Sequence, residues 1–568
     1  MSTQTVLNLR PARWFVTAMA LVTLALPAGA YAQQHRARMS REVADHVNLR
    51  RSGNIDVLVA LPQSVLTRLA QQYGVTVKQI IDNTGAVVSG TAQQLDLMAS
   101  DAQVDDIAID GRVFGRMAVT TQATGANQVW AGNGRPFGGI TGQNINVAII
   151  DSGVAANQDL TRVIFSKDFT GNGNPVDEYG HGTHLAGIIG GNGSGSYSPN
   201  AAAFVGMAPG ANIINLKVLG ADGSGSVSTV IKAIEFAIAN RERLAIRVIN
   251  LSLGRPSSDS YRNDPLAMAV ERAVRAGIVV VAAAGNLGEY DGQQIIGGIE
   301  SPGYAPDALT VGATDTHQTV YRSDDTIPTW SSRGPAGLQN DPTGWVIKPD
   351  VVAPGVNIIA TSNGDTTLWK SYPSRQVTGA NGGKYLRLSG TSMSTAVVSG
   401  AAALVLQANP RLSPQGVKFA LQLTAQHMAN YGLIEQGAGE INVALAVDLA
   451  QAHGRNARKL QMANTIGGEN VVASGVVFGS VQGRTMIWGN ALVGGNNMIW
   501  GNTMIWGNTM IWGNTMIWGN TMIWGNTMIW GNTMIWGNTM IWGNTMIWGN
   551  RSCMETPNSG DPQCQVDQ

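Results

Sequence analysis

Residues 147–153 read Val-Ala-Ile-Ile-Asp151-Ser-Gly, a short apolar run, largely β-branched, that ends at a carboxylate followed by small turn-forming residues. An apolar run of this length without polar alternation predicts a strand buried on both faces. The same signature returns at 213–218, 248–251, 278–282 and 308–311, with helical stretches such as 227–240 and 265–276 between runs. Strands alternating with helices predict an α/β fold: a mostly parallel sheet flanked by helices. In such sheets, sites lie beyond the carboxyl ends of the strands. The residues that follow each run are therefore the ones to read for chemistry.

Asp151 is one such residue, and Asn286, closing Val279-Val-Val-Ala-Ala-Ala-Gly-Asn, is another. Two further motifs carry reactive groups: His181-Gly-Thr-His-Leu-Ala-Gly and Gly390-Thr-Ser392-Met-Ser. A serine hydroxyl is a poor nucleophile near neutral pH, so an imidazole must take its proton and later protonate the leaving amine. Ser392 and His181 suit those roles, with Asp151 fixing the tautomer and stabilising the imidazolium. Asn286 is the candidate amide donor to a developing oxyanion. Taken singly, each motif has a plainer reading: a strand-to-turn junction, half of a metal site at His181 and His184, a helix cap, a turn residue. No third ligand cluster accompanies the histidines, and four accidents in one order are harder to accept than one enzyme. Ser392 should begin the small-residue helix running to Gln407, with the positive end of its dipole toward the reacting carbonyl.

In the order Asp, His, Asn, Ser these motifs resemble the subtilisin-like serine proteases over roughly residues 125–450. The order also separates the chain from chymotrypsin-like and α/β-hydrolase arrangements. Matching segments recur at 216–225, 250–254 and 348–355. The resemblance implies a serine endopeptidase working through an acyl-enzyme, with protein or peptide substrates and no cofactor needed for chemistry. It implies one cleft wall at Ser252, Leu253 and Gly254, pairing with the substrate backbone as an added strand, and an opposite wall at Ala284 and Gly285. Asp159 falls where many members carry a calcium-ligating aspartate; the companion loop at about 191–205 gives no matching spacing, so a structural calcium stays open and the metal ligands unknown. Glu300, before Ser301-Pro302-Gly303, falls near the floor of the primary specificity pocket, against the plainer reading of a solvated loop carboxylate. The chain departs from the family at Ser394-Thr395-Ala396-Val397, where Ala-Thr-Pro-His is usual, and altered packing is expected there.

The rest of the chain suggests export and processing. Arg10 and Arg13 precede an apolar run at 14–26 and the small-residue site Ala30-Tyr-Ala32, the layout of a secretory signal peptide over 1–32. Residues 33–121 read strand, helix, two strands, helix, strand, a small α+β unit; placed before the peptidase domain at 122–455, it resembles the family's inhibitory propeptide. Zero formal net charge and the lack of a basic stripe among aromatics argue against nucleic acid. Both cysteines, Cys553 and Cys564, lie in a tail at 551–568, leaving the peptidase region no disulfide.

After a linker at 456–497, Met-Ile-Trp-Gly-Asn recurs in nine copies from Met498 to Asn550, spaced by Thr to a period of six. Six is not a multiple of the helical 3.6, and Thr-Met-Ile-Trp is β-prone. Either a serial meander or stacked hexapeptide coils would follow. Rows of Trp and Met suit surface attachment or self-association. The competing function is an adhesive or self-associating repeat protein carrying an inactive protease domain.

Overall fold

The computed structural model describes residues 35–82, 85–109, 116–131, 139–198, 203–256, 260–336, 346–452, 462–481, 484–488 and 491–493, then short strands between 497 and 553. The leader expected at 1–32, and Cys564 with any loop it closes, lie outside the described residues. The chain divides into two compact units, residues 1–113 and 114–568. A helix at Arg116–Ala123, which the expected boundary at 121 would cut, belongs to the second.

In the first unit, strands Asn54–Val59, Thr76–Asp82, Gly85–Thr91 and Asp106–Ile109 alternate with helices Gln63–Tyr73 and Ala92–Ala99 in the order read from the sequence. Strand 54–59 is flanked by 106–109 and 85–91, both antiparallel, with 76–82 outside. Val57, Val59, Val88 and Ile107 pack with Leu66, Leu69, Leu95 and Met98. Thr91 and Gln94 form a reciprocal capping box at the start of the second helix. A further helix, Arg41–Asn48, occupies the basic stretch, where only Val43 and Val47, four residues apart, are buried apolar positions. Two apolar positions are too few for periodicity to register.

The second unit is built on seven strands: β1 (Asn146–Asp151), β2 (Val163–Asp168), β3 (Asn212–Lys217), β4 (Ile246–Leu251), β5 (Val279–Ala283), β6 (Leu309–Thr314) and β7 (Val351–Pro354). All neighbours pair in parallel, in the order β7-β6-β5-β4-β1-β3-β2. Alternate residues of β1 serve opposite cores. Val147 and Ile149 join the cluster containing α1 (His181–Gly190), whereas Ala148 and Ile150 join that containing α2 (Val227–Ala239) and α3 (Pro265–Arg275). Burial on both faces is why the run reads as continuous apolar. Strand β2 escapes that signature because it is an edge strand with alternating exposure.

The helix α4 (Thr391–Ala408) shares the α1 side and is buried along nearly its whole length. It is long and apolar enough to cross a membrane, with mean hydropathy 1.3, yet 83% of it is buried inside the protein, so it is a core helix. Its small residues permit that path: a Cβ at Gly400 would lie 2.5 Å from Met207 Cβ. The family departure lies in this helix. Ser394 Oγ donates to the Ala353 carbonyl at 2.9 Å and Thr395 Oγ1 to the Thr391 carbonyl at 2.7 Å, so the extra hydroxyls are satisfied and the helix runs on unbroken.

The expected linker at 456–497 is a correction: its described part is packed structure. Ala463–Ile466 and Glu469–Val472 form a hairpin, and Val476 and Phe478 enter the α1–α4 core beside Val417 and Leu421. Short alternating apolar residues in a Gly-rich setting hid this anchor. Strand Val477–Val481 then pairs antiparallel with Arg484–Trp488, which starts the repeats. Beyond it, each strand pairs in parallel with the third one on. Thr503 faces Thr521 and Trp506 faces Trp524, an offset of 18 residues or three repeats. Three sheets arise in this way. Pairing between every third strand is that of stacked coils; a meander would pair consecutive strands.

Candidate active site

The sheet order gathers the candidate residues. Strand β4 lies between β1 and β5, so Asp151, Ser252 and Asn286 leave three adjacent strands at their carboxyl ends. Asp151 is fully buried, and its Oδ1 accepts from His181 Nδ1 at 2.8 Å and from the Ser152 N–H at 2.8 Å. That contact requires α1 to begin against the turn after β1. A Cβ at Gly182 would collide with the Gly153 carbonyl oxygen, so glycine permits the approach.

Sequence reasoning missed the group that anchors this helix start. Asp177 is buried, and its two oxygens accept from Ser152 Oγ, the N–H groups of Tyr179 and Gly180, and the N–H and hydroxyl of Thr183, at 2.6–3.1 Å. Ser152 Oγ in turn accepts from the Gly182 N–H at 2.9 Å. The spacing Asp177-x-x-Gly-His181-Gly-Thr183 is the available signal: a carboxylate poised over the free N–H groups of a helix start.

These carboxylates set the histidine's chemistry. Burial works against the imidazolium, but the charge and hydrogen bond of Asp151, with the charge of Asp177, outweigh it and hold His181 above the usual histidine pKa. Asp151 Oδ2 has no hydrogen-bond partner among the described residues, which leaves the imidazole as its main neutralising neighbour. With Nδ1–H donating to Asp151, Nε2 carries the lone pair that a base needs. His184, three residues on, is fully buried, its Nε2 donates to the Leu386 carbonyl at 3.0 Å, and burial pushes its pKa down to about 3. It faces the core and does not join His181 in a metal site.

Ser392 is the second residue of α4 and half-buried. Its hydroxyl donates to the Ser252 carbonyl at 3.1 Å, while Ser252 Oγ donates to the Ser392 carbonyl at 2.9 Å. The structure shows no Ser392–His181 hydrogen bond, so this state holds the hydroxyl on the β4 wall; such bonds often tighten only with substrate bound. Asn250 Nδ2 reaches Ser252 Oγ and Asn250 Oδ1 accepts from Ser399 Oγ, both at 2.9 Å, clamping α4 to β4.

Asn286 is exposed and oriented by Thr391, a residue the sequence reading passed over. Its Oδ1 accepts from the Thr391 N–H at 3.0 Å and Oγ1 at 3.2 Å, and the Gly285 N–H donates to Thr391 Oγ1 at 3.2 Å. The amide Nδ2 is thereby left to donate beside the amino end of α4. Of the expected walls, Ser252 is buried, Leu253 half-buried and Gly254 exposed, whereas Ala284 and Gly285 are both buried.

Asp159, where the resemblance left a structural calcium open, is held by protein donors. Asp159 is 2% exposed, with Oδ1 accepting from the Gly195 N–H at 2.6 Å and Oδ2 from the Tyr385 hydroxyl at 2.5 Å. Through these bonds the carboxylate ties the loop after α1 to the strand bearing Tyr385. Among the described residues, no group of three His, Cys, Asp or Glu side chains is arranged to hold a metal.

A family model described as the subtilase family matches residues 142–456. The chain is 36% identical to serine protease AprX of Bacillus subtilis (strain 168) over 358 residues, covering 62% of this chain and 76% of that one. It is 36% identical to subtilisin Savinase of Lederbergia lenta over 308 residues, 54% of this chain and 92% of that one. The crystal structure of a cold adapted subtilisin-like serine proteinase matches 57% of this chain and 96% of its own at 26% identity, with a TM-score of 0.40. The protein belongs to the subtilase family and is a serine-type endopeptidase.

Proposed function

We propose that this endopeptidase cleaves protein or peptide chains through Ser392, His181 and Asp151, by an acyl-enzyme intermediate. The observation that carries the reading is the meeting of Asp151 and His181 at 2.8 Å beside a β4 end that already holds Ser392 Oγ. A substrate strand lies along Ser252–Gly254 and, on binding, takes over the Ser252 region from the serine hydroxyl, freeing Ser392 to donate to His181 Nε2. As Ser392 Oγ bonds to the substrate carbonyl carbon, its proton passes to Nε2 and then to the leaving amine, which departs as the C–N bond breaks. Asn286 Nδ2 and the amino end of α4 stabilise the oxyanion, and water repeats the steps to release the acyl group.

The first unit acts in this reading as an inhibitory propeptide, after export directed by residues 1–32, and the mature enzyme is secreted. The supporting feature is a compact α+β unit of its own immediately before the peptidase unit. Ser392→Ala, expressed with export intact, is expected to accumulate uncut precursor; a variant processed normally would exclude self-cleavage. The repeat coils serve surface attachment or self-association. Their support is a register in which each coil repeats the one before it, residue for residue. Deleting 485–550 should release a surface-bound or associated form without loss of peptide hydrolysis, and unchanged localisation and assembly would remove that role. The ordered Asp151–His181 pair favours the enzyme over an adhesive protein with an inactive domain.

A further inference from the structure

The three sheets of the tail all close on strands of one last coil: Thr539–Trp542, Thr545–Trp548 and Arg551–Cys553. Among the described residues each of these strands has a partner on one side alone. The opposite end of the stack meets the peptidase unit. There strand Val477–Val481 flanks Arg484–Trp488, and helix Leu433–Gln436 lies against Asn497–Trp500. An unpaired strand edge presents a row of N–H and C=O groups, a template on which another chain can pair.

Elsewhere the chain blunts such edges. Edge strand β2 carries Lys167 beside Asp168, and its register against β3 shifts between Val163 and Phe165. The outer strand of the first unit, Thr76–Asp82, carries Lys78 and Asp82 and shifts register twice against Gly85–Thr91. Charge and irregularity keep an edge from pairing with other chains. Two strands of the last coil have neither: 539–542 and 545–548 both read Thr-Met-Ile-Trp, uncharged, β-prone and free of proline, in unbroken register with the strands before them. The third carries one cation, Arg551. A partner must match three edges at once, at the spacing of one coil, and the last coil of a second copy has that spacing. Turned over by a twofold axis, it offers its strands in the opposite sense, so the pairs across the joint are antiparallel. The peptidase unit holds the other end of each stack, which leaves in-line stacking no equal surface and limits pairing to two copies.

We propose that the last coil is a dimerisation surface whose partner is the same coil of a second copy of this chain. This rests on the self-association reading of the repeats and gives it a site and a symmetry. The test is analytical ultracentrifugation of the full exported chain over a dilution series, with the intact tail verified by mass spectrometry. Wild type should sediment as a dimer that dissociates on dilution, with no larger species. Ile541→Lys combined with Ile547→Lys places like charges on both sides of the joint and should raise the dimer Kd by about a hundredfold or more. Deleting 533–550 removes one coil and leaves 521–524, 527–530 and 551–553 as the new terminal edges, so the dimer should persist.

An unchanged Kd in the lysine variant, or loss of the dimer on deleting 533–550, would overturn the assignment. Should the lysines cost the tail its β signal in circular dichroism, hydrogen exchange of wild type serves instead. Dilution to monomer should deprotect the amides of 539–553 and leave those of 503–530 protected, and a change spread evenly over the tail would overturn the assignment equally. Open-ended assemblies of wild type would mean in-line stacking and would overturn it too. The two layers separate cleanly. Wild type that associates while the lysine variant does so equally sinks this joint alone; wild type that stays monomeric at every concentration sinks the self-association reading beneath it.

Discussion

In the seven-stranded sheet no two strands share a sequence, whereas the tail repeats one pentapeptide in nine copies at a period of six. The body has to specify each neighbour separately, through buried side chains drawn from distant parts of the chain and polar groups placed singly. Asp350 is such a group: at 1% exposure it accepts from Lys348 at 2.7 Å, Lys418 at 2.8 Å and the Thr310 N–H at 2.7 Å. The tail needs no such specification, because a shift by any whole repeat recreates the same pairing. A body built this way can hold a unique site but fails at single positions. A tail built this way tolerates changes of length but not of phase.

The largest break is expected at the site. Asp151→Asn should lower kcat/KM by about 10⁴-fold, measured on a peptide substrate, with folding checked by circular dichroism. The pH profile carries a sign. His181 must be neutral to act as base, and its pKa lies above the usual histidine value, so wild-type activity should be lost as pH falls through that raised pKa. Removing the Asp151 charge lowers the pKa, and the acidic limb of whatever activity remains should move to lower pH.

Next in size, Asp350→Ala leaves two lysines buried without their carboxylate and should cost about 3–5 kcal/mol in denaturant unfolding. A loss under 1 kcal/mol would show that the cluster does not hold β7 to its neighbours. Asp177→Asn keeps the shape but weakens charge-assisted bonds at the start of α1, and about 2–3 kcal/mol of stability should go with it. Activity should fall as His181 loses its fixed position; an unchanged kcat would remove Asp177 from the positioning network.

The smallest effect belongs to the tail. Removing residues 509–526, one coil, should leave peptide hydrolysis and the melting of the body unchanged within about 0.5 kcal/mol. Deleting Gly513 alone shortens one coil to about 17 residues, puts the three pairings that span it out of phase, Asn497 with Thr515, Thr503 with Thr521 and Thr509 with Thr527, and should lose β signal there. If both deletions behaved alike, the 18-residue register would not be what orders these strands.

What could be read from sequence follows the same division. The central strands β1, β3, β4, β5 and β6 were legible because burial on both faces leaves continuous apolar runs; candidates Asp151 and Asn286 were picked out because they follow two of those runs, and His181 and Ser392 by their own motifs at helix starts. Edge strand β2 was not, since half its residues face water. Neither Asp177 nor Thr391 stood out, because each works through backbone N–H groups and a neighbour's amide, partners that only folding supplies. The hold of Asp159 on Gly195 and Tyr385 was not legible either, since both partners lie far along the chain. Coil stacking in the tail was one of two readings, since a six-residue period is silent on whether the next strand or the third one on is the partner.

The central claim, that Ser392 is the nucleophile of this endopeptidase, is tested most directly by a fluorophosphonate probe on mature protein, with the modified peptide identified by mass spectrometry. The account predicts stoichiometric labelling at Ser392, suppressed at low pH as His181 protonates and abolished in Ser392→Ala. Absence of label on folded wild type, or equal labelling of Ser392→Ala, would contradict it.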